Sequence, residues 1–366
     1  MSAKVRKSAA SARRTTRAAA APAPKTVGVL TAGGDCPGLN AVLRAIVLSG
    51  RREGYRVLGF RHGWEGLYRN GDFTEFDEED LEELSVSAGT MIGTSRFDPH
   101  EKKDGVDRVL DSLKNKGCQS LIVIGGSESV DICLQLLKRR LRVVLIPKTI
   151  DNDIKGTDNA FGFDTAVNVA TEALDRLHVN AKSHSRVLVV EVMGRETGWM
   201  ALHAGLAGRA HAILIPEEPF SVQDVCDLVV RRNEQGFAYS VIVVAEGAQP
   251  REHLMLDEFH KIERDPMSPF YTGVAFKLAK VIFDKTGMET RHIVLGHLQR
   301  TGTPSAYDRV LGAQMGQRAI ELLAAGKSGR MVALDGGRIQ DVPLKRADGR
   351  FKRVPHDLYR RVLSLL

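Results

Sequence analysis

Short apolar runs recur along the chain, each followed by a longer amphipathic stretch. The runs are Leu121–Ile124, Val143–Ile146, Val187–Val192, Ala212–Ile215, Val241–Val244 and Ile293–Leu295. Runs of β-formers without polar alternation are strands covered on both faces, as in parallel sheets. Residues 163–178, 269–285 and 304–325 carry helical periodicity. Strands alternating with helices in this way specify an α/β protein with parallel sheets flanked by helices. At 366 residues and 43% hydrophobic, the chain is long enough for one large or two ordinary α/β domains. No apolar run approaches the roughly 18–20 residues needed to cross a membrane, and no repeat of solenoid period is present.

Open α/β sheets bind ligands at the carboxyl ends of their strands, so the residues after Val143–Ile146 carry the most information. They read Pro147-Lys148-Thr149-Ile150-Asp151-Asn152-Asp153, two carboxylates two residues apart with an ammonium and a hydroxyl just upstream. One carboxylate can take a proton from a hydroxyl, the other can hold Mg²⁺, and the lysine can neutralise a phosphate. Phosphoryl transfer requires that set. Alone, Asp-Asn-Asp would read as a polar turn with Asx hydrogen bonds. A second segment lifts it above that: Thr26–Leu30 is a short hydrophobic strand running into Thr31-Ala32-Gly33-Gly34-Asp35-Cys36-Pro37-Gly38, with Pro37 suited to the first turn of a helix. Glycines let backbone N–H groups approach an anion, and a helix amino end adds partial positive charge. The segment matches neither the P-loop nor the dinucleotide fingerprint. Gly326-Lys327-Ser328 has Glu321 where a P-loop needs its first glycine, which argues against a P-loop kinase.

The formal net charge of +7 belongs to one end of the chain. Residues 1–25 hold Lys4, Arg6, Lys7, Arg13, Arg14, Arg17 and Lys25 and no acid, so the remainder has as many acidic as basic side chains. This Ala/Ser/Arg-rich tail has the composition of a disordered arm. It is expected to be a solvated extension; loose nucleic-acid contact or an organelle transit role are the alternatives. Asp77–Glu83 likewise reads as a solvated acidic run. Cys36, Cys118, Cys133 and Cys226 lie far apart without CxxC spacing. They read as reduced, buried thiols of a cytoplasmic protein, with neither zinc nor disulfides indicated.

Together these segments resemble the phosphofructokinase family, and further motifs follow in the family's order. Gly89-Thr90-Met91-Ile92-Gly93-Thr94-Ser95-Arg96-Phe97 is similar to its phosphate-side loop, and Gly125-Gly126-Ser127-Glu128-Ser129 to its Gly-Gly-Asp-Gly-Ser/Thr donor loop. Val192-Met193-Gly194-Arg195 and Gly296-His297-Leu298-Gln299-Arg300 are similar to its sugar-phosphate elements. The resemblance extends over residues 26–330. It implies two Rossmann-like three-layer domains with mainly parallel sheets and the active site in the cleft between them. The donor-binding domain would be 26–163 plus 301–366, and the sugar-phosphate-binding domain 164–300, following the tail of 1–25.

The implied activity is that of a 6-phosphofructokinase, which transfers a phosphoryl group to the 1-hydroxyl of D-fructose 6-phosphate in glycolysis and uses Mg²⁺. At matching positions, Asp151 is the expected general base and Asp153 its support or that of the metal. Thr149 is expected to hydrogen-bond the migrating phosphoryl group, with Arg96 and Arg195 as clamps on developing charge. Gly34, Arg96, Phe97, Gly126, Ser127, Glu128, Ser129 and Lys148 are expected at the donor. Thr149, Asp151, Met193, Gly194, Arg195, Glu246, His297 and Arg300 are expected at the sugar phosphate. Arg186 and Arg291 match residues that reach a neighbouring subunit's 6-phosphate, which implies a homo-oligomer, a tetramer or dimer. The physics agrees: phosphoryl transfer needs alignment and charge neutralisation more than covalent chemistry, and guanidinium groups bind phosphate bidentately.

The donor loop departs from the family pattern. ATP-using members carry Gly-Gly-Asp-Gly, whose aspartate serves Mg²⁺ and whose last glycine leaves room for the α-phosphate; here Ser127 and Glu128 take those places. Like charges about 4 Å apart repel by roughly 1 kcal/mol in water and about 4 kcal/mol near a protein surface. A tenfold loss of affinity needs only about 1.4 kcal/mol. Glu128 would therefore exclude ATP and spare pyrophosphate, which ends short of it. Lys148 points the same way, since pyrophosphate-using members carry lysine there. Some ATP users share that lysine, however, and pyrophosphate users usually place Asp at both loop positions. Glu128, with Asp153, is also the candidate for the metal role lost at Ser127. Pyrophosphate is the expected donor and ATP the alternative. A rival of another class, a weakly active regulatory sugar-phosphate-binding paralogue, is motivated by Ser127 and opposed by the intact Asp151/Asp153 pair. Of the family's basic effector pattern only Arg44 matches, with Leu48, Gln235 and Phe237 replacing basic residues, so little response to ADP or phosphoenolpyruvate is expected.

Overall fold

The computed structural model describes residues 25–69, 71–84, 88–251, 273–347 and 351–366. The basic arm up to residue 24, the start of the loop at 85–87 and the first residues of the 269–285 stretch lie outside them.

The apolar runs become strands because both faces of each are covered: every residue of Leu121–Ile124 and Val143–Ile146 is fully buried. Strands β1 (Lys25–Thr31), β2 (Tyr55–Phe60), β3 (Phe73–Thr74), β4 (Cys118–Gly125), β5 (Arg142–Pro147), β10 (Arg330–Asp335) and β11 (Arg338–Pro343) form one sheet. Its order is β11-β10-β5-β4-β1-β2-β3. The inner five strands run parallel, and β11 and β3 close the edges antiparallel. Strands β6 (Val187–Val192), β7 (Ala212–Leu214), β8 (Ser240–Ala245) and β9 (Thr290–Val294) form a second sheet. This sheet has the order β7-β8-β6-β9 and is parallel throughout. The architecture is thus α/β with two mainly parallel sheets.

The helices are α1 (Leu39–Arg52), α2 (Gly63–Arg69), α3 (Glu78–Glu83), α4 (Gly105–Asn115), α5 (Glu128–Lys138) and α6 (Phe163–Ser183). They continue with α7 (Trp199–Ala207), α8 (Val222–Glu234), α9 (Val274–Thr286), α10 (Ala306–Ala324) and α11 (His356–Leu363). The acidic run is largely exposed, as expected, and forms α3, whose capping box has Asp77 accepting from the Asp80 N–H and Asp80 accepting from the Asp77 N–H. Acidic side chains in a first turn also complement the helix dipole. Pro37 stands just before the α1 cap, which is Gly38 at φ 94°. Past β11 the chain crosses to the second sheet, where Tyr359 Oη donates to the Ile213 carbonyl at 2.6 Å. All four cysteines are buried and free, and no described helix is long and apolar enough to cross a membrane.

Candidate active site between the two sheets

The site is built where β1, β4 and β5 of one sheet and β6 and β8 of the other end. After β1 the chain turns at Gly33-Gly34, and three cations gather there. Lys148 Nζ donates to the Gly34 carbonyl at 2.6 Å. A Cβ at Gly34 would stand 3.0 Å from Arg300 Nη1 and 3.8 Å from Arg96 Nη2, so a side chain there would crowd the arginines. Arg300 Nη1 also donates to the Asp35 carbonyl at 3.2 Å. After β4, Gly125 leaves room for Ser129, whose Oγ would lie 2.3 Å from an added Cβ. Gly126 and Ser127 carry the chain into α5, and Glu128 is its first residue.

The segment after β5 is closed off from solvent: Lys148, Thr149, Asp151 and Asp153 are all buried. Asn152 between the two aspartates is left-handed, φ 52°. Its side chain bonds the Asp158 carbonyl at 3.3 Å, Asn159 Oδ1 at 3.1 Å and the Ala160 N–H at 3.2 Å, which fixes the carboxylates on either side. Thr149 Oγ1 accepts the Asp151 N–H at 3.0 Å. Asp151 Oδ1 has no hydrogen-bond partner among the described residues. A buried carboxylate oxygen left open is costly unless a ligand completes it. Burial raises Asp151 above the usual carboxylate range, and the charges of Arg300, Arg195, Lys148 and Arg96 pull it back. Asp153 is pushed up to about 6, by burial first and then by the charge of Asp151. Burial lowers the Lys148 ammonium.

On the opposite side, Gly194 (φ 144°) and Arg195 (φ 50°) form a tight loop after β6. A Cβ at Gly194 would stand 2.5 Å from the Thr197 carbonyl. The Arg195 N–H donates to Glu246 Oε1 at 2.9 Å, and its guanidinium pairs with Glu128 across the gap at 2.9 Å. Burial pushes Glu246 up to about 7 despite that N–H, with Asp151 and Glu191 adding to the rise.

These elements enclose a cleft of about 520 Å³. Arg96, Phe97, Glu128 and Ser129 line it from one sheet, and Met193, Arg195, Glu246, His297 and Arg300 from the other. Gly34, Lys148 and Asp151 join through bonds or charge to those arginines. Arg186 and Arg291 are elsewhere. They stand at the amino ends of β6 and β9, where Glu289 Oε1 lies 3.5 Å from Arg186 and 3.0 Å from Arg291. The cleft faces the carboxyl ends, where Glu191, Met193, Val294 and Gly296 line it.

The sequence reading missed four contributors. Glu191 lines the cleft from inside β6 and accepts the Ala275 N–H at 3.0 Å; its signal is a lone carboxylate in the run Val-Leu-Val-Val-Glu-Val. Trp64 and Ile132 add an apolar wall beyond Glu128, with nothing local to mark them. Lys352, from the far end of the chain, donates to Asn152 Oδ1 at 3.0 Å. Among the described residues no three His, Cys, Asp or Glu side chains converge on one point. The buried Asp153 carboxylate, with Glu128 lining the cleft, fits a Mg²⁺ ion that takes most of its oxygens from phosphate and water, as Mg²⁺ commonly does.

Two mainly parallel sheets meeting at a cleft, with a buried acid pair among four cations, fit an enzyme of phosphoryl transfer. The Phosphofructokinase family profile matches residues 26–323, and the chain belongs to that family of phosphotransferases. It is 48% identical over 335 residues to the pyrophosphate–fructose 6-phosphate 1-phosphotransferase of Amycolatopsis methanolica, covering 91% of this chain and 97% of that one. It is 45% identical over 331 residues to the ATP-dependent 6-phosphofructokinase of Corynebacterium efficiens, covering 90% and 95%. Among solved structures, phosphofructokinase from Saccharomyces cerevisiae superposes with TM-score 0.75 at 31% identity, over 88% of this chain and 45% of that one. Pyrophosphate-dependent phosphofructokinase from Marinobacter aquaeolei gives 0.76 at 25% identity, over 90% and 86%. Relatives named for each donor therefore match about equally well.

Proposed function

We propose that this chain transfers a phosphoryl group from pyrophosphate to the 1-hydroxyl of D-fructose 6-phosphate, giving fructose 1,6-bisphosphate and phosphate. The observation that carries the reading is Asp151: a buried carboxylate with one oxygen unpartnered, among the charges of Arg300, Arg195, Lys148 and Arg96. That oxygen takes the proton of the 1-hydroxyl as the hydroxyl oxygen forms its bond to the terminal phosphorus. The bond from that phosphorus to the bridging oxygen breaks, and the second phosphate leaves toward Lys148. Arg96 and Arg195 hold the charge spread over the transferring group, and Thr149 orients it. Arg300, His297 and Glu246, with the Met193-Gly194 backbone, hold the sugar phosphate. Mg²⁺ at Asp153, with Glu128 able to join once it releases Arg195, would supply charge neutralisation between the phosphates.

Glu128 supports pyrophosphate because its carboxylate stands in the cleft, paired with Arg195, where a longer nucleotide chain would have to pass. The apolar surface of Trp64, Phe97 and Ile132 beyond it favours a second reading, in which a nucleobase is accepted and ATP is the donor. Arg186 and Arg291 lie at the strand ends remote from the cleft, and we take them to complete a neighbour's site in a homo-oligomer.

Initial rates with fructose 6-phosphate and Mg²⁺, comparing pyrophosphate with ATP in an aldolase-coupled assay, test the reading. Turnover with pyrophosphate alone supports it, and turnover with ATP alone overturns the donor assignment. Silence with both, alongside tight fructose 6-phosphate binding, replaces it with the regulatory paralogue.

A further inference from the structure

We infer that Lys352, supplied by the C-terminal segment, is a positioning residue that holds the Asp151-Asn152-Asp153 turn in its working shape and ties it to the second sheet. The inference rests on the proposed role of Asp151 as the base. The side chain of Lys352 offers three N–H donors, and each meets an oxygen of that turn or its continuation. Nζ lies 3.0 Å from Asn152 Oδ1, 3.1 Å from the Thr157 carbonyl and 2.7 Å from the Asp158 carbonyl. The backbone of the same residue adds a fourth bond, its N–H donating to the Asp153 carbonyl at 2.7 Å. An isolated antiparallel bridge pairs Ile154 with Phe351 just beside it. One residue thus bonds both members of the turn that follow the base.

The anchoring continues into the second sheet. The Lys352 carbonyl accepts Trp199 Nε1 at 2.7 Å, and the ammonium sits 5.3 Å from the centre of that ring. Glu217 Oε1 accepts both the Val354 N–H at 2.9 Å and the Gly198 N–H at 3.1 Å, so the segment 351–354 and the start of α7 share one carboxylate. Thr197, two residues before Trp199, donates to the Asp151 carbonyl at 3.4 Å and to the Gly194 carbonyl at 3.2 Å. The segment therefore connects the turn that carries the acid pair with the loop that carries Arg195. An ammonium that satisfies three oxygens at fixed points defines position better than a single bond does, and left-handed Asn152 needs such fixing because non-glycine residues enter that region at a cost. The titratable groups that face Lys352 are Asp153 and Asp158 from the turn and His203 from α7, which burial and the Lys352 charge hold toward the neutral form. Those that face Asp153 include Asp151 and Arg195.

The test compares Lys352→Met and Lys352→Arg with the parent and with Asp151→Ser, using the full chain. Displacement of reacting groups by about 1 Å costs on the order of 10²-fold in rate. Lys352→Met should therefore lose kcat by about that factor, with KM for fructose 6-phosphate nearly unchanged, while circular dichroism shows a folded protein. Lys352→Arg retains the charge, but its planar fork should restore only part of kcat; this variant decides the matter if Lys352→Met does not fold. An unchanged kcat in both, or a rise in KM alone, overturns the inference. If Asp151→Ser keeps parental turnover, the assignment of the base has failed instead, and the two failures are told apart.

Discussion

At the scale of single residues, Asp151, Glu128 and Glu246 carry the assignments that measurement can most directly overturn. Replacing Asp151 with Ser removes the proposed base but keeps a small polar side chain. General-base catalysis is worth about 10²–10⁴-fold, so kcat should fall by at least that while fructose 6-phosphate still binds, as equilibrium titration would show. Glu128 stands in the gap and holds Arg195 at 2.9 Å. Glu128→Gly should raise kcat/KM for ATP relative to pyrophosphate by about tenfold or more, the ratio that about 1.4 kcal/mol represents; an unchanged ratio would remove Glu128 from donor choice. Glu246 has a folded pKa raised from 4.5 to about 7, so the folded protein keeps that proton to higher pH than the unfolded chain. Its contribution to stability is full below the unfolded value and is lost as pH rises through about 7. Glu246→Gln has no proton to lose. The difference in melting temperature, variant minus parent, should therefore grow from about pH 5 to about pH 8, and a flat difference would contradict the buried environment.

At the scale of elements, the loops at strand ends position the chemistry, and two of them allow little variation. Gly194 at φ 144° faces the Thr197 carbonyl. Gly194→Ala should displace Arg195 and lower kcat by about 10²-fold with a stability loss of about 1–3 kcal/mol, read by kinetics and thermal melting together. Much of this level was legible from the chain. Buried parallel strands write themselves as unbroken apolar runs, so β4, β5, β6, β7, β8 and β9 stand out, and α6, α9 and α10 show their period. The edge strand β11 escaped because Arg338–Pro343 mixes charged and apolar residues and is largely exposed, whereas β10 has only the short apolar run Met331–Leu334 between Arg330 and Asp335 to mark it. The site was legible where its residues sit in a local motif, as in 147–153 and 193–195. Trp64, Ile132, Glu191 and Lys352 reach the site only through tertiary packing, and no local spacing records that. The acidic run Asp77–Glu83 is solvated as expected, and its helix was not legible because short-range capping, not burial, makes it helical.

At the scale of the whole molecule, the position of Arg186 and Arg291 makes a claim about assembly. If each completes a neighbour's site, an Asp151→Ser subunit mixed and reassembled with an Arg186→Ala subunit should recover activity that neither has alone, because some sites then join two intact halves. No recovery in a mixture that sedimentation shows to be hetero-oligomeric would mean that the arginines serve their own chain. Effectors belong to this scale as well: if the resemblance to the family's effector pattern is as incomplete as Leu48, Gln235 and the exposed Phe237 suggest by their apolar or uncharged side chains, activity should stay hyperbolic in fructose 6-phosphate when ADP or phosphoenolpyruvate is added. Finally, the strand order places β10 beside β5, with Arg330 opposite Val144. During synthesis β5 must therefore wait, one edge open, until nearly the whole chain has left the ribosome, whereas β6, β7, β8 and β9 emerge as an uninterrupted series. The sheet that holds the acid pair is thus expected to close last, through long-range pairing that folds slowly. A nascent chain stopped before β10 would expose that unpaired edge to chaperones.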